Sequence, residues 1–225
     1  MTAPQAYLFD MDGLLLDTEQ AFLDAALTLL VPMGHAAAEV RAFFLECVGS
    51  SSAMTRARLG EFLGAPDHAE RVDAEWRRLH KARLADHVPL RPTVAPALAA
   101  LRTQGARMAV VTSTWGEDAR HHLAGAGLLE HFEFVLGGDE VRASKPDPAP
   151  YLEAAQALGV APDACAAFED SDRGITAAVR AGCRAVQVPD LRPAHVPLPR
   201  LGQHVARDLW SAIHAVGGTL GPHPT

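Results

Sequence analysis

An apolar run, Tyr7-Leu8-Phe9, stops abruptly at two carboxylates, Asp10 and Asp12, with one residue between them and Gly13 immediately after. The run has the character of a buried strand in a parallel sheet. A sheet interior does not hold two acids for packing, because an unpaired buried carboxylate is strongly unfavourable or simply protonates. The carboxyl end of a strand is, however, where α/β proteins bind their ligands. A turn into solvent built from Asp and Gly is the plainer alternative. It loses weight because matching parts recur at the ends of later strands.

Further strands are expected at Arg107–Ser113, Phe132–Gly137, Ala164–Glu169 and Arg184–Pro189, after a first strand at Tyr7–Asp10. Helical patterns fall between the last four, near Gly116–Ala126, Ala149–Leu158 and Arg173–Ala181. That alternation predicts βαβ units, and so an α/β fold with a Rossmann-like parallel sheet core. Gly105 and Gly182 are placed to end the helices Ala95–Gln104 and Arg173–Ala181. A short strand at His204–Ala206 and a helix at Leu209–Val216 close the domain.

The first two strands lie about ninety residues apart, far more than an ordinary crossover needs. Glu19–Pro32, Ala36–Val48, Ala53–Leu63 and Asp67–Asp86 carry helical periodicity in that gap, with turn-rich separators at Pro32-Met33-Gly34 and Gly64-Ala65-Pro66. The expected organisation is a core of residues 1–17 and 89–225 interrupted by an inserted helical-bundle domain at 18–88.

A net charge of −7 argues against partnership with nucleic acid or an anionic membrane surface. No apolar stretch reaches the length of a membrane span, and no basic leader precedes the first strand. Cys47, Cys165 and Cys183 have no CxxC spacing, so buried reduced thiols and a cytoplasmic location are expected. Lys81 and Lys145 are the only lysines among many arginines. A lysine kept in such a background suits a place that needs a compact ammonium rather than a planar guanidinium.

Four groups fall after strands of the one sheet: Asp10 and Asp12; Thr112-Ser113-Thr114; Ser144-Lys145-Pro146-Asp147-Pro148; and Glu169-Asp170-Ser171-Asp172-Arg173-Gly174. Taken singly, each has a bland reading: a strand-end hydroxyl, a solvated lysine, an acid cluster favoured by a helix N-terminus. Together they supply what phosphoryl transfer to a carboxylate needs. That chemistry requires a nucleophile, a second acid to protonate the leaving alcohol, oxygen ligands for Mg²⁺, and a hydroxyl and an ammonium for the transferring oxygens.

On these residues the chain resembles the haloacid dehalogenase-superfamily phosphatases that carry a helical C1 cap after the first strand, a group with sugar phosphatases, phosphoglycolate phosphatases and β-phosphoglucomutase-like members. The matching parts are Asp10-Met11-Asp12-Gly13, Thr112, Lys145-Pro146-Asp147-Pro148 and Glu169-Asp170-Ser171 with Gly174-Ile175. The resemblance implies Asp10 as nucleophile and Mg²⁺ ligand, and Asp12 as acid/base with its backbone carbonyl on the metal. Thr112, with Ser113, and Lys145 would hold the phosphoryl group. Asp170 would bind Mg²⁺ directly, with Glu169 beside it or acting through water.

Within that family, dehalogenases lack the second acid, which Asp12 supplies here. Phosphonate hydrolases use a cap lysine, and Lys81 lies late in the last cap helix rather than early. Mutases carry a histidine near the position of Phe22 and an arginine near Gly49–Ser52, and neither is present. The expected activity is Mg²⁺-dependent hydrolysis of a small sugar, polyol or nucleoside monophosphate through an aspartyl-phosphate. A sugar-phosphate mutase is the second reading and a non-catalytic phosphate-binding protein the third. Glu19, Phe22, Ser50, Ser51 and Ser52 are candidate substrate contacts from the cap, and a monomer or weak dimer is expected.

Overall fold

A computed structural model describes residues 2–48, 50, 52–85, 88–192 and 195–224. The chain divides into two compact units. One comprises the residues up to Asp17, Pro89–Asp190 and those from Leu198 on; the other comprises Thr18–Val88 and Leu191–Pro197.

The first unit is built on six parallel strands: β1 (Ala6–Phe9), β2 (Arg107–Val111), β3 (Phe134–Leu136), β4 (Cys165–Glu169), β5 (Arg184–Gln187) and β6 (His204–Val205). Their order across the sheet is β3-β2-β1-β4-β5-β6. The chain therefore winds outward in one direction from β1 and in the other from β4, which makes the β1/β4 boundary the topological switch point where such sheets bind ligands. Phe9 lies opposite Val110 on one side and Phe168 on the other. One residue further on, that register brings Asp10 level with Val111 and Glu169.

The central strands are fully buried, and so carry unbroken apolar runs rather than alternation. Phe9 and Phe168 stack with centroids 5.1 Å apart, and Tyr7 stacks with Phe168 at 6.3 Å. Helices α5 (Val94–Thr103), α6 (Gly116–Gly125), α7 (Ala149–Ala157), α8 (Asp172–Arg180) and α9 (Leu209–Ala215) belong to this unit. Gly105 and Gly182 follow α5 and α8 with φ of 68° and 86°, the left-handed geometry expected where a helix ends on glycine. The strands end one or two residues short of their expected carboxyl ends, except β4, which keeps Glu169 paired with Gln187.

The second unit holds α1 (Thr18–Leu30), α2 (Ala37–Cys47), α3 (Ser52–Leu63) and α4 (Pro66–Leu84). Trp76, fully buried, stacks on Phe22 at 4.3 Å and donates its indole N–H to the Phe22 carbonyl at 2.8 Å. Leu191 packs on the same cluster, which explains why Leu191–Pro197 groups with these helices. Asp86, the expected end of the fourth helix, lies outside the described residues. No helix among the described residues is long and apolar enough to cross a membrane. All three cysteines are free; Cys47 and Cys165 are buried, whereas Cys183 is only half-buried, since it precedes β5 rather than sitting within it.

Candidate active site

Lys145 is buried to 5% exposure, and each of its ammonium hydrogens has an acceptor. Nζ donates to Asp10 Oδ1 at 2.6 Å, to Glu169 Oε1 at 2.6 Å and to the Val111 carbonyl at 2.8 Å. The lysine thus joins the ends of β1, β2 and β4. Its own loop is anchored by α8, from which Arg173 donates to the Lys145 carbonyl and Arg180 to the Pro146 carbonyl. The Lys145–Pro146 peptide is cis.

Glu169, at the end of β4, has both oxygens engaged. Oε1 accepts from Lys145 and from the Tyr151 hydroxyl at 2.6 Å, and Oε2 accepts from the Ser171 hydroxyl at 3.2 Å. Ser171 also caps α8 by accepting from the Gly174 N–H at 3.1 Å. A Cβ at Gly174 would fall on the Glu169 carboxylate, so any larger residue must displace that side chain.

Asp12 follows Asp10 by two residues, and its charge adds to the rise that burial gives the Asp10 carboxyl. Asp12 Oδ2 accepts from the Thr114 hydroxyl at 2.7 Å, while the Thr114 N–H donates to Thr112 Oγ1 at 3.1 Å. Thr112 is buried and Ser113 exposed. The turn after β1 is tight: Gly13 donates to the Leu16 carbonyl, and Leu15 and Leu16 both donate to the Met11 carbonyl. Gly13 has φ of 79°, and a Cβ there would lie 2.6 Å from Asp170 Oδ2. Glycine is therefore needed both for the turn and for the approach of Asp170.

Burial pushes the Asp10 carboxyl well above the usual range, with Glu169 adding to the rise and Lys145 opposing it. Burial also works against the Lys145 charge, but Asp10 and Glu169 outweigh it and hold its pKa above the ordinary lysine value. Burial, reinforced by the Glu169 charge, raises the Tyr151 phenol, which stays a donor.

Asp10, Glu169 and Asp170 each offer a carboxylate oxygen within 4.8 Å of the others, and all three are buried. Asp10 and Glu169 share the Lys145 ammonium, and a divalent cation among the three clustered carboxylates would offset negative charge there. The donors are hard oxygens of the kind Mg²⁺ prefers. The residues present fit the ion.

Of the residues singled out from sequence, Asp10, Lys145, Glu169 and Asp170 converge at the switch point, with Asp12, Thr112 and Ser113 on adjoining strand ends of the same unit. Glu19 lies in the first turn of α1 in the helical unit, where Ser50 accepts from Arg58 at 3.1 Å. Ser51 lies outside the described residues. Sequence reasoning passed over Tyr151, because an aromatic on a helix next to the sheet reads as core. It noted the Thr114 hydroxyl only as part of a run; nothing in the spacing shows which of three hydroxyls reaches Asp12.

A buried ammonium among strand-end carboxylates at the switch point of a parallel sheet defines an α/β enzyme site. The family model described as haloacid dehalogenase-like hydrolase matches residues 7–188. The chain is 34% identical over 201 residues to protein CbbY of Rhodobacter capsulatus, covering 82% of this chain and 85% of that protein. It is 31% identical over 186 residues to the phosphorylated carbohydrates phosphatase of Thermotoga maritima, covering 81% and 83%. The solved structure of CbbY from Rhodobacter sphaeroides in complex with phosphate aligns with a TM-score of 0.69 at 26% identity, over 96% of this chain and 97% of that one. The chain belongs to the haloacid dehalogenase-like hydrolase family, as an enzyme of its phosphatase type.

Proposed function

We propose that this protein hydrolyses a small sugar or polyol phosphomonoester with Mg²⁺, through an acyl phosphate formed on Asp10. The observation that carries this reading is the 2.6 Å contact between Lys145 Nζ and Asp10 Oδ1, made in a buried site with Glu169 as third partner. Asp10 attacks phosphorus, and the bond to the leaving oxygen breaks. Asp12, held by the Thr114 hydroxyl, gives its proton to that oxygen. The deprotonated Asp12 then takes a proton from the water that attacks the aspartyl-phosphate, releasing phosphate and restoring Asp10. Lys145 offsets negative charge on Asp10 and on the phosphoryl oxygens, and the Thr112 hydroxyl lies at the neighbouring strand end to bind them.

Mg²⁺ held by Asp10 and Asp170, with Glu169 adjoining, would supply positive charge that favours the ionised Asp10 and offsets charge on the phosphoryl group. The sugar or polyol assignment draws on the relative named as a phosphorylated carbohydrates phosphatase. Substrate selection is assigned to the helical unit, with Glu19 and Ser51 as contacts. Three free cysteines accord with a reducing compartment.

The test is phosphate release from a panel of hexose, glycerol and nucleoside phosphates and phosphoglycolate, with and without Mg²⁺, comparing wild type with Asp10→Asn and Asp12→Asn. Undiminished turnover in Asp10→Asn contradicts the mechanism. Conversion of β-glucose 1-phosphate to its 6-phosphate without phosphate release would make the protein a mutase.

A further inference from the structure

Trp115 is the most exposed large apolar side chain among the described residues, at 69%. It occupies the N-cap position of α6, where Ser, Thr, Asp or Asn would satisfy a free backbone N–H, and its side chain makes no capping bond. Asp139 does that work from the neighbouring loop, its Oδ1 accepting from the Gly116 N–H at 2.7 Å. The indole therefore serves neither the helix nor the core, and its exposure leaves a large apolar surface in water. Such a conflict between local preference and placement is characteristic of functional positions.

The backbone around the indole is fixed. The Thr114 carbonyl accepts from Gly138, and the Trp115 carbonyl from Ala119, both at 2.8 Å. Gly137 and Gly138 pack so closely on Gly116 and Ser113 that neither could carry a Cβ. With the backbone fixed, only the two side-chain torsions of the indole remain to be ordered when a ligand binds. Its place in the chain decides which ligand part it meets. Thr114 holds Asp12 at 2.7 Å, and consecutive Cα atoms are about 3.8 Å apart. The leaving oxygen must come to Asp12, so the carbon skeleton on that oxygen lies within reach of the next side chain along.

We propose that Trp115 is a specificity-determining residue that stacks on the apolar face of a sugar ring in the leaving group. The assignment rests on the phosphatase reading and deepens it: the preferred esters carry a ring rather than a short acyclic chain.

The experiment compares kcat/KM for hexose phosphates with that for glycerol 3-phosphate, an ester with no ring, in wild type, Trp115→Ala and Trp115→Phe. In Trp115→Ala the hexose-to-glycerol ratio is expected to fall about three- to tenfold through KM, with Trp115→Phe retaining part of it. A second readout is tryptophan emission in the Asp10→Asn background, where Trp76 and Trp210 are buried. A hexose phosphate should change the emission, and Trp115→Phe should remove that change. An unchanged ratio, an equal loss on both substrates, or a signal that survives Trp115→Phe overturns the proposal. A wild type that hydrolyses only acyclic esters overturns it while leaving the phosphatase reading intact. Absence of phosphate release from every ester refutes both.

Discussion

The Thr114 hydroxyl donates to Asp12 Oδ2 at 2.7 Å, which gives Asp12 a partner that Asp10, two residues earlier in the chain, does not share. Asp10 is drawn into the buried cluster with Lys145 and Glu169, whereas Asp12 is turned to the adjoining strand end and stays half-buried. Two carboxylates in different surroundings can take different roles in one reaction.

Removing that hydroxyl with Thr114→Val should lower kcat on alkyl phosphates about tenfold, from a lost hydrogen bond of about 1–1.5 kcal/mol. The loss should be smaller on p-nitrophenyl phosphate, whose leaving group needs little help from an acid. Steady-state kinetics on both esters checks this; equal losses would mean that Thr114 does not act through Asp12.

Lys145→Arg should be inactive and destabilised despite keeping the charge. Three acceptors at 2.6, 2.6 and 2.8 Å surround one nitrogen, and a planar guanidinium cannot replace it in that buried space. Lys145→Met should cost about 3–5 kcal/mol, since it leaves buried carboxylates without their counter-ion. Urea unfolding and phosphate release together check both variants.

Gly174→Ala tests the packing behind Glu169. The added methyl must displace the carboxylate that Lys145, Tyr151 and Ser171 hold in place. The expected cost is about 1–3 kcal/mol of stability by urea unfolding, with a matching fall in kcat. Wild-type stability and activity would show that Glu169 can relax without consequence.

Much of this was legible because both folding and chemistry leave marks at strand ends. Buried parallel strands must be continuously apolar, so Asp10 and Glu169 stood out as interruptions at the ends of Tyr7–Phe9 and Cys165–Phe168. What stayed hidden depends on side-chain direction. Tyr151 looks like any buried helix aromatic until its hydroxyl is seen on Glu169. Leu191–Pro197 carries no periodicity that would assign it to the helical unit, and only the packing of Leu191 does so. The Lys145 ammonium could be chosen from sequence because the chain has so few lysines, but its three acceptors come from three separate strands.

The cysteines give a pH dependence. Burial pushes the Cys47 and Cys165 thiols up to about 11 and the Cys183 thiol, with Cys165 nearby, up to about 12, from an ordinary value of 9.0. The folded protein therefore holds these protons to higher pH than the unfolded chain does. Their contribution to stability is complete below pH 9 and is lost as pH rises through about 11 to 12. Urea midpoints should fall across that window, less so in Cys183→Ala. Thiol labelling with an aromatic disulfide at pH 8 should be slow until the protein unfolds.

The central claim is that Asp10 becomes phosphorylated during turnover. Borohydride added during steady-state hydrolysis reduces an acyl phosphate to the alcohol, so peptide mass spectrometry should find homoserine at position 10 and nowhere else. The conversion should require both substrate and Mg²⁺. Continued phosphate release with an unmodified Asp10, or reduction at another carboxylate, would contradict the account.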